Sequence, residues 1–252
     1  MRLRVSGFVG NLPYLWKQRA MRVCPWDDFV LDWPMRGRSI AIVGNAGYLR
    51  DLSAGSYIDQ HDLVVRMNNF QLAGFEHAVG RRLDIWMTNF SPKTICFDNP
   101  EIALADHIVS SRPNVFRKSR RRRIVNRMGQ HITLGMGKLG RRVVYVPSIA
   151  TFSEWTSRIG KYPTTGMMAI LWALEVLAPL SGPIFITGFS FFEGPSHYFC
   201  HTGIDAATLH DPAAEKHLLQ RLLAAPVRSG KVTLDAVMSR YLWPNAESNR
   251  VA

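Results

Sequence analysis

The residues of this sequence best suited to chemistry are its histidines, and half of them lie close together. The segment SHYFCHTGIDAATLHDPAAEKHLL (196–219) contains four of the eight histidines: His197, His201, His210 and His217. Their spacing does not favour a metal site, because no His-Glu-x-x-His pattern is present and the run crosses a loop. A catalytic set and ordinary surface histidines both remain open on spacing alone.

His210 is the histidine with the most informative surroundings. In HDPAAE it immediately precedes a predicted helix, with Pro212 at a helix-start position and Glu215 in the first turn. An imidazole at a helix start favours its neutral form, which suits a general base near neutral pH. The alternative is a solvent-exposed histidine without a catalytic role.

A glycine-containing turn is the second candidate site. IAIVGNAGYLRD predicts a strand, a tight turn and a helix, an arrangement that presents backbone N–H groups to an anion. Gly44 and Gly47 would let the backbone approach a ligand closely. The turn lacks the full dinucleotide fingerprint and the lysine of a P-loop, so an ordinary strand–helix connection is the alternative.

A hydroxyl-rich helix start is the third candidate site. In YPTTGMMAILWALEVL, Thr164 or Thr165 is expected to cap the helix, and Gly166 leaves its first turn uncrowded. Such a helix start also binds anions. The alternative is simply a capped core helix.

The elements that must position these residues follow from six short apolar runs. They are SIAIVG, DLVVRM, LDIWMT, DHIVSS, RVVYVP and PIFITGF, and helical segments such as Gly166–Ala178 and Asp211–Ala224 separate several of them. This alternation predicts a single α/β, Rossmann-like domain whose mainly parallel central sheet is flanked by helices on both faces. We expect an irregular N-terminal lead-in over 1–35, the domain over 36–245 and a tail over 246–252.

The charge of the chain favours anionic partners. There are 31 Lys and Arg against 19 Asp and Glu, a net charge of +12. The densest cluster, FRKSRRRRIVNR (116–127), is either a solvated loop or a contact for anionic lipid heads or a phosphorylated acceptor. Nucleic acid is disfavoured, because no aromatic platform alternates with the arginines.

The compartment is expected to be the cytoplasm. The three cysteines, Cys24, Cys96 and Cys200, are odd in number and far apart, which favours a reducing environment. The basic N-terminus lacks the apolar run and cleavage site of a signal peptide, and no apolar stretch is long enough to span a bilayer.

Taken in chain order, these segments resemble the sialyltransferases of glycosyltransferase family 29, which have four short sialylmotifs. Ile40–Asn89 is similar to the large motif, with Gly-Asn-x-Gly, Ile-Asp-x-His-Asp and Arg-Met-Asn. Tyr162–Phe189 is similar to the small motif, and His-Tyr-Phe at 197–199 to the third. His210, separated by four residues from Glu215, matches the very small motif.

The resemblance implies a variant GT-A fold and a role for each matching residue. Asn45 and Asn68 are expected to contact the phosphate and ribose of a CMP-sugar donor, His197 to hydrogen-bond the donor phosphate, and His210 to deprotonate the acceptor hydroxyl. The cytidine and phosphate pocket would be shaped by Tyr162, Thr164, Thr165, Gly166 and Gly188. Supporting roles fall to Gly44, Gly47, Arg66 and Glu215.

The implied activity is an inverting, metal-independent transfer of sialic acid, or a related ulosonic acid such as Kdo, from a CMP-sugar. The acceptor would be a glycan or a lipopolysaccharide precursor. No Asp-x-Asp motif is present, and the single phosphodiester charge of a CMP donor can be balanced by amides, helix starts and an imidazole. No cofactor or metal is expected, and peripheral contact with an anionic membrane through Arg120–Arg123 is a further expectation. The alternative is a catalytically silent nucleotide-binding accessory protein.

One departure from the family concerns its disulfide. Members of the secretory pathway usually join a cysteine of the large motif to one of the small motif. The corresponding positions here are Ile40 and Leu177, so apolar packing is expected to replace the crosslink. The resemblance is therefore to a bacterial, cytosolic version of the fold.

Overall fold

A computed structural model describes residues 22–91, 95, 99–113, 143–193 and 209–244, and within them an eight-stranded sheet. The strands lie in the order β1-β6-β5-β4-β3-β2-β7-β8, and every neighbouring pair is parallel. They span β1 Arg22–Pro25, β2 Ile40–Val43, β3 Leu63–Met67, β4 Ile85–Thr88, β5 His107–Ser110, β6 Val143–Val146, β7 Ile184–Thr187 and β8 Val232–Leu234. All residues of β2, β3, β4 and β7 are buried, as parallel strands covered on both faces require.

Helices cover both faces of the sheet, as the sequence predicts. They are α1 Asp28–Asp32, α2 Gly55–Asp59, α3 Glu76–Val79, α4 Ile149–Ile159, α5 Thr165–Trp172, α6 Pro212–Arg228 and α7 Ala236–Leu242, with 3₁₀ turns at Gly47–Asp51 and Pro100–Leu104 and a π-helical turn at Ala173–Leu177. Because side chains alternate along a strand, Ile40 and Ile42 join one core with α1 and α4–α7, whereas Ala41 and Val43 join another with α2 and α3.

The two edges of the sheet are where the structure differs from the sequence prediction. The six predicted runs all form strands, but β1 falls inside the predicted irregular lead-in, and β8 was not predicted. Both are short, and each has exposed residues, so neither shows a continuous apolar run. Pro25 is tolerated in β1 because edge strands lack a partner on one side. The domain boundaries at 36, 245 and 246 stay predictions.

Apolar packing occupies the positions where the resemblance places paired cysteines. Ile40 on β2 and Leu177 in the π-helical turn are both fully buried members of the same core. That core therefore provides at these positions the cohesion that the crosslink would supply.

The crevice expected of such a sheet lies between β2 and β7. The chain leaving β2 continues to α2 on one face, whereas the chain leaving β7 returns through α6 on the other. Neighbouring strands whose connections diverge in this way open a ligand crevice at their carboxyl ends. Among the described residues, no helix is long and apolar enough to cross a membrane.

Candidate active site

Glycines let the ends of β2 and β7 approach each other at this crevice. A Cβ atom on Gly44 would lie 2.1 Å from the carbonyl oxygen of Gly188, and Gly188 itself has φ +83°. Gly166 packs in a similar way, since a Cβ there would lie 2.8 Å from the ring of Phe189. These contacts explain the three glycines by packing, and their contact with a ligand stays a prediction, as does that of Gly47.

Tyr48 braces the exit of β7, a role that the sequence analysis missed. Its hydroxyl accepts hydrogen bonds from the backbone N–H groups of Gly188 (2.8 Å) and Phe189 (3.2 Å) and donates one to Oδ2 of Asp235 (2.8 Å). Burial, and then the Asp235 carboxylate, raise the pKa of Tyr48. The hydroxyl therefore stays protonated and holds the β7 exit against the start of α7.

Asn45 follows β2 and is held by the end of β3. Its buried side-chain Nδ2 donates to the carbonyl oxygens of Met67 (3.0 Å) and Asn69 (2.8 Å). Carbonyls only accept, so the orientation of this amide is settled and both of its N–H groups are used. A ligand donor such as a ribose hydroxyl would then meet Oδ1 rather than the amide nitrogen.

Asn68 follows β3 and presents the opposite end of its amide. Its Oδ1 accepts from the backbone N–H of Asn89 (3.2 Å), its backbone carbonyl accepts from the indole N–H of Trp86 (2.8 Å), and its φ is +48°. The conformation is left-handed, which asparagine tolerates better than most residues. With Oδ1 engaged, the Nδ2 hydrogens are the group suited to a phosphate oxygen.

Arg66 supports the fold and not the crevice. It is buried, and its guanidinium donates from Nε to the carbonyl oxygen of Arg82 (2.8 Å) and from an Nη to that of Val79, at the end of α3. Burial lowers its pKa to about 10, against the opposing effect of nearby carboxylates. This satisfies backbone carbonyls at the end of α3 and just beyond it, and a supporting role of Arg66 in the site stays a prediction.

Thr164 begins α5, which confirms the predicted cap. Its Oγ1 accepts from the N–H of Met167 (3.0 Å), while its own N–H and hydroxyl donate to Oε1 (2.6 Å) and Oε2 (2.7 Å) of Glu215. Glu215 lies in the first turn of α6 and is 4% exposed. Burial raises its pKa to about 7, although the bonds from Thr164 act in the other direction.

His210 lies two residues before α6, as predicted, and contacts the chain that leads into α5. Its Nδ1 is 2.7 Å from the carbonyl oxygen of Tyr162. A carbonyl cannot donate, so Nδ1 bears the proton and Nε2 keeps its lone pair. Burial lowers the pKa of His210, with further lowering by Arg112 and Lys161, against the Tyr162 hydrogen bond. The ring is therefore neutral at pH 7, with Nε2 ready to accept a proton.

Two residues after β5 also belong to this site and were not singled out from the sequence. Ser111 Oγ lies 3.4 Å from Oγ1 of Thr165, and both residues are buried. Arg112 is close enough to His210 and Tyr162 for its charge to act on both. The signal for them was positional, since Ser111 ends the predicted strand DHIVSS and Arg112 follows it, at the ligand-binding edge of the sheet.

The other predicted residues are less closely tied to the site. The Tyr162 ring is exposed and stacks on Phe152 with centroids 6.1 Å apart. His217 is exposed on α6. His197, His201 and the Arg120–Arg123 cluster lie outside the described residues. Within the described part of the chain, no group of three His, Cys, Asp or Glu side chains is arranged to hold a metal ion.

The parallel sheet, with helices on both faces and a crevice at the carboxyl ends of β2 and β7, defines a Rossmann-like fold. The model of "Glycosyltransferase family 29 (sialyltransferase)" matches residues 31–111. Within these residues, from the end of α1 to the end of β5, the chain is similar to this family.

Individual relatives show a similarity to the same kind of protein. The CMP-N-acetylneuraminate-beta-galactosamide-alpha-2,3-sialyltransferase 1 of Gallus gallus is 32% identical over 152 residues, covering 55% of this chain and 41% of the relative. Sialyltransferase 2 of the same description from Mus musculus is 29% identical over 210 residues, covering 76% and 56%. The chain thus spans about half the length of the curated relatives it matches.

A solved structure supports the fold. The crystal structure of a mammalian sialyltransferase superposes with a TM-score of 0.54 at 20% identity, covering 79% of this chain and 68% of that one. At this identity the likeness establishes the architecture alone, and it confirms the predicted Rossmann-like fold.

Proposed function

We propose that the protein is a glycosyltransferase that moves sialic acid, or a related ulosonic acid such as Kdo, from a CMP-sugar to a glycan hydroxyl. The observation behind this proposal is the tautomer of His210. Its Nδ1–H is directed at the Tyr162 carbonyl, so Nε2 is the basic atom, and its lowered pKa keeps that atom unprotonated at neutral pH. A binding protein has no need of such a base.

One general base is sufficient for the proposed transfer. Nε2 of His210 takes the proton of the acceptor hydroxyl as its oxygen bonds to the anomeric carbon of the donor. The bond from that carbon to the phosphate oxygen breaks, and CMP leaves with the electron pair. Attack opposite the leaving group inverts the anomeric configuration. The acceptor proton remains on His210 until it passes to solvent.

Donor binding is assigned to the amide pair and to the charge at the end of β5. Asn68 would donate from Nδ2 to the phosphate, and Asn45 would accept a ribose hydroxyl through Oδ1. Arg112 adds a positive charge near the base. These groups, together with His197 as predicted, offer a metal-free way to balance one phosphodiester charge.

A donor screen tests the function. The protein would be mixed with CMP-sialic acid or CMP-Kdo and a panel of glycans, and CMP release would be measured, with His210→Ala as the matched inactive variant. Sugar-dependent release that disappears in His210→Ala is expected. If CMP binds but no pair of substrates turns over, the protein is the silent accessory protein instead.

The cellular setting of the reaction belongs to the same proposal. A lipopolysaccharide-type acceptor and a position on the cytoplasmic face of an anionic membrane are favoured by the Arg120–Arg123 cluster, since each basic residue near such a surface contributes about 1 kcal/mol. Co-sedimentation with phosphatidylserine vesicles should fall with salt and on changing all four arginines to glutamine. Salt-independent sedimentation would remove the membrane from the proposal. The bacterial origin stays a prediction.

A further inference from the structure

A cavity of about 460 Å³ lies between α6, α7 and the residues that follow β7. It is separate from the contacts of His210 and Glu215 described above. Its lining includes Glu193, Lys216, Arg240 and Tyr241. The volume falls within the usual range of small-ligand sites, and the sequence analysis gave no function to any of these residues.

The charges around this cavity leave one cation in excess. Lys216 Nζ lies 2.7 Å from Oε1 of Glu193, so these two charges compensate each other. Arg240 is exposed, and no ion pair joins it to another residue within the described ranges. The nearby Asp235 carboxylate is already engaged by Tyr48 and by the N–H of Met238. Counting only its described lining residues, the cavity is therefore net positive, and its wall includes a guanidinium that forms no ion pair with them.

The cavity also lies close to the crevice. The Tyr241 ring lies 6.1 Å, between centroids, from the ring of Tyr48. The Tyr48 hydroxyl in turn accepts from the backbone N–H of Gly188 at the end of β7. Two side chains thus separate this cavity from the edge where the donor is proposed to bind. Tyrosine also offers an apolar ring for the face of a sugar and a hydroxyl for its polar groups.

We infer that this cavity is an acceptor subsite for a sugar that bears an anionic group, either a carboxylate or a phosphate. Arg240 binds the anionic group through a planar fork of donors, and Tyr241 contacts the sugar ring. This inference rests on the proposed transferase function, because it places the acceptor beside the donor crevice. It narrows the acceptor to an acidic glycan.

Binding of three matched sugars tests the subsite without requiring turnover. D-galactose, D-galacturonic acid and D-galactose 6-phosphate would be titrated into the intact protein by NMR, and the two acidic sugars distinguish a carboxylate from a phosphate ligand. Arg240→Gln should weaken binding of the preferred acidic sugar about tenfold, the loss expected for one charge-assisted hydrogen bond. Arg240→Lys should weaken it less.

Arg228→Gln provides the matched control. Arg228 is also an exposed arginine, but it lies at the far end of α6, about 18 Å along the helix axis from Lys216. It should bind all three sugars as the unmodified protein does. In both variants the affinity for CMP should be unchanged, because neither side chain belongs to the donor site.

Kinetics then separate this inference from the proposed function. With an acidic acceptor, Arg240→Gln should raise KM about tenfold at constant kcat, the same single contact being lost. Equal affinity of the unmodified protein for neutral and acidic sugars, or an unchanged affinity in Arg240→Gln, would overturn the subsite while CMP release still supported the function. Arg240-dependent binding without CMP release from any donor would overturn both the function and the assignment of the cavity to an acceptor.

Discussion

The two halves of the candidate site are built differently. On the β2 and β3 side, Asn45 and Asn68 present amides that the backbone orients and that do not titrate. On the α5 and α6 side, His210 and Glu215 are titratable, and burial is the leading cause of the pKa shift of each. The first half suits a ligand of constant charge, and the second suits proton transfer.

The comparison teaches that binding and chemistry should respond to different perturbations. Amide contacts to a nucleotide change little between pH 5 and 8, whereas Glu215 has a pKa of about 7 and burial lowers the pKa of His210 from its ordinary value. Thr164 and Tyr162 hold the second half together, since they lead into α5 and contact Glu215 and His210 at the start of α6. Four predictions test how separate the halves are.

The largest effect is expected at the base. His210→Ala should lower kcat roughly 10²–10⁴-fold while the affinity for CMP is retained, because general-base catalysis is lost and the donor contacts remain. His217→Ala, an exposed histidine of the same segment, is the control and should behave as the unmodified enzyme does. In the unmodified enzyme, kcat should fall only below pH 6.5, since the pKa of His210 lies below its ordinary value. Loss of CMP affinity in His210→Ala would show that binding and catalysis are not separated between the two halves.

Glu215 should make stability depend on pH. Its pKa is about 7 in the fold against an ordinary value of 4.5, so its stabilising contribution is full below pH 4.5 and is lost as pH rises through 7. Over that window the unmodified protein should lose roughly 3 kcal/mol of unfolding free energy relative to Glu215→Gln. Urea unfolding of both proteins at pH 4.5, 6 and 8 measures the difference between their unfolding free energies. Other titrating groups contribute equally to both proteins and cancel in this difference. A difference that stays constant with pH would refute the raised pKa.

The two asparagines should differ from each other. Asn68→Ala should weaken CMP binding by about 1.5–3 kcal/mol, because it removes donors suited to the phosphate. Asn45→Ala should weaken CMP binding less, because only the ribose contact is lost, and it should also lower the unfolding free energy by about 1–3 kcal/mol, because the carbonyls of Met67 and Asn69 lose this donor. Calorimetry with CMP and thermal unfolding of each variant measure the two effects. If both variants lost the same CMP affinity and kept the thermal midpoint of the unmodified protein, the two asparagines would not have the different roles that their amide orientations indicate.

The smallest effect is expected from chelation. Excess EDTA should leave turnover unchanged, because in the proposed site amides, Arg112 and imidazole would balance the single phosphodiester charge. Initial rates with and without EDTA, followed by added Mg²⁺ or Mn²⁺, measure it. Loss of activity that Mn²⁺ restores would place a metal in the donor half.

Local sequence patterns predicted much of this architecture. Apolar runs long enough to be buried on both faces identified β2 to β7, and the Thr-Thr-Gly start and the Asp-Pro pair located the beginnings of α5 and α6. The edge strands β1 and β8 were not predicted, because a strand exposed on one side needs no continuous apolar run. The roles of Tyr48 and Arg112 were not predicted because their partners are distant in sequence. Gly188, for example, which donates to the Tyr48 hydroxyl, is 140 residues away.

By itself the sequence determined the order of the elements, the helix caps and the identity of His210 as a residue at a helix start, because these depend on neighbours along the chain. Only the tertiary structure decided which nitrogen of His210 is basic, which end of each asparagine amide is presented and that Glu215 bonds to Thr164. Proton positions, amide orientations and pKa values depend on burial and on hydrogen-bond partners brought from elsewhere in the chain, and these exist only once the sheet has assembled.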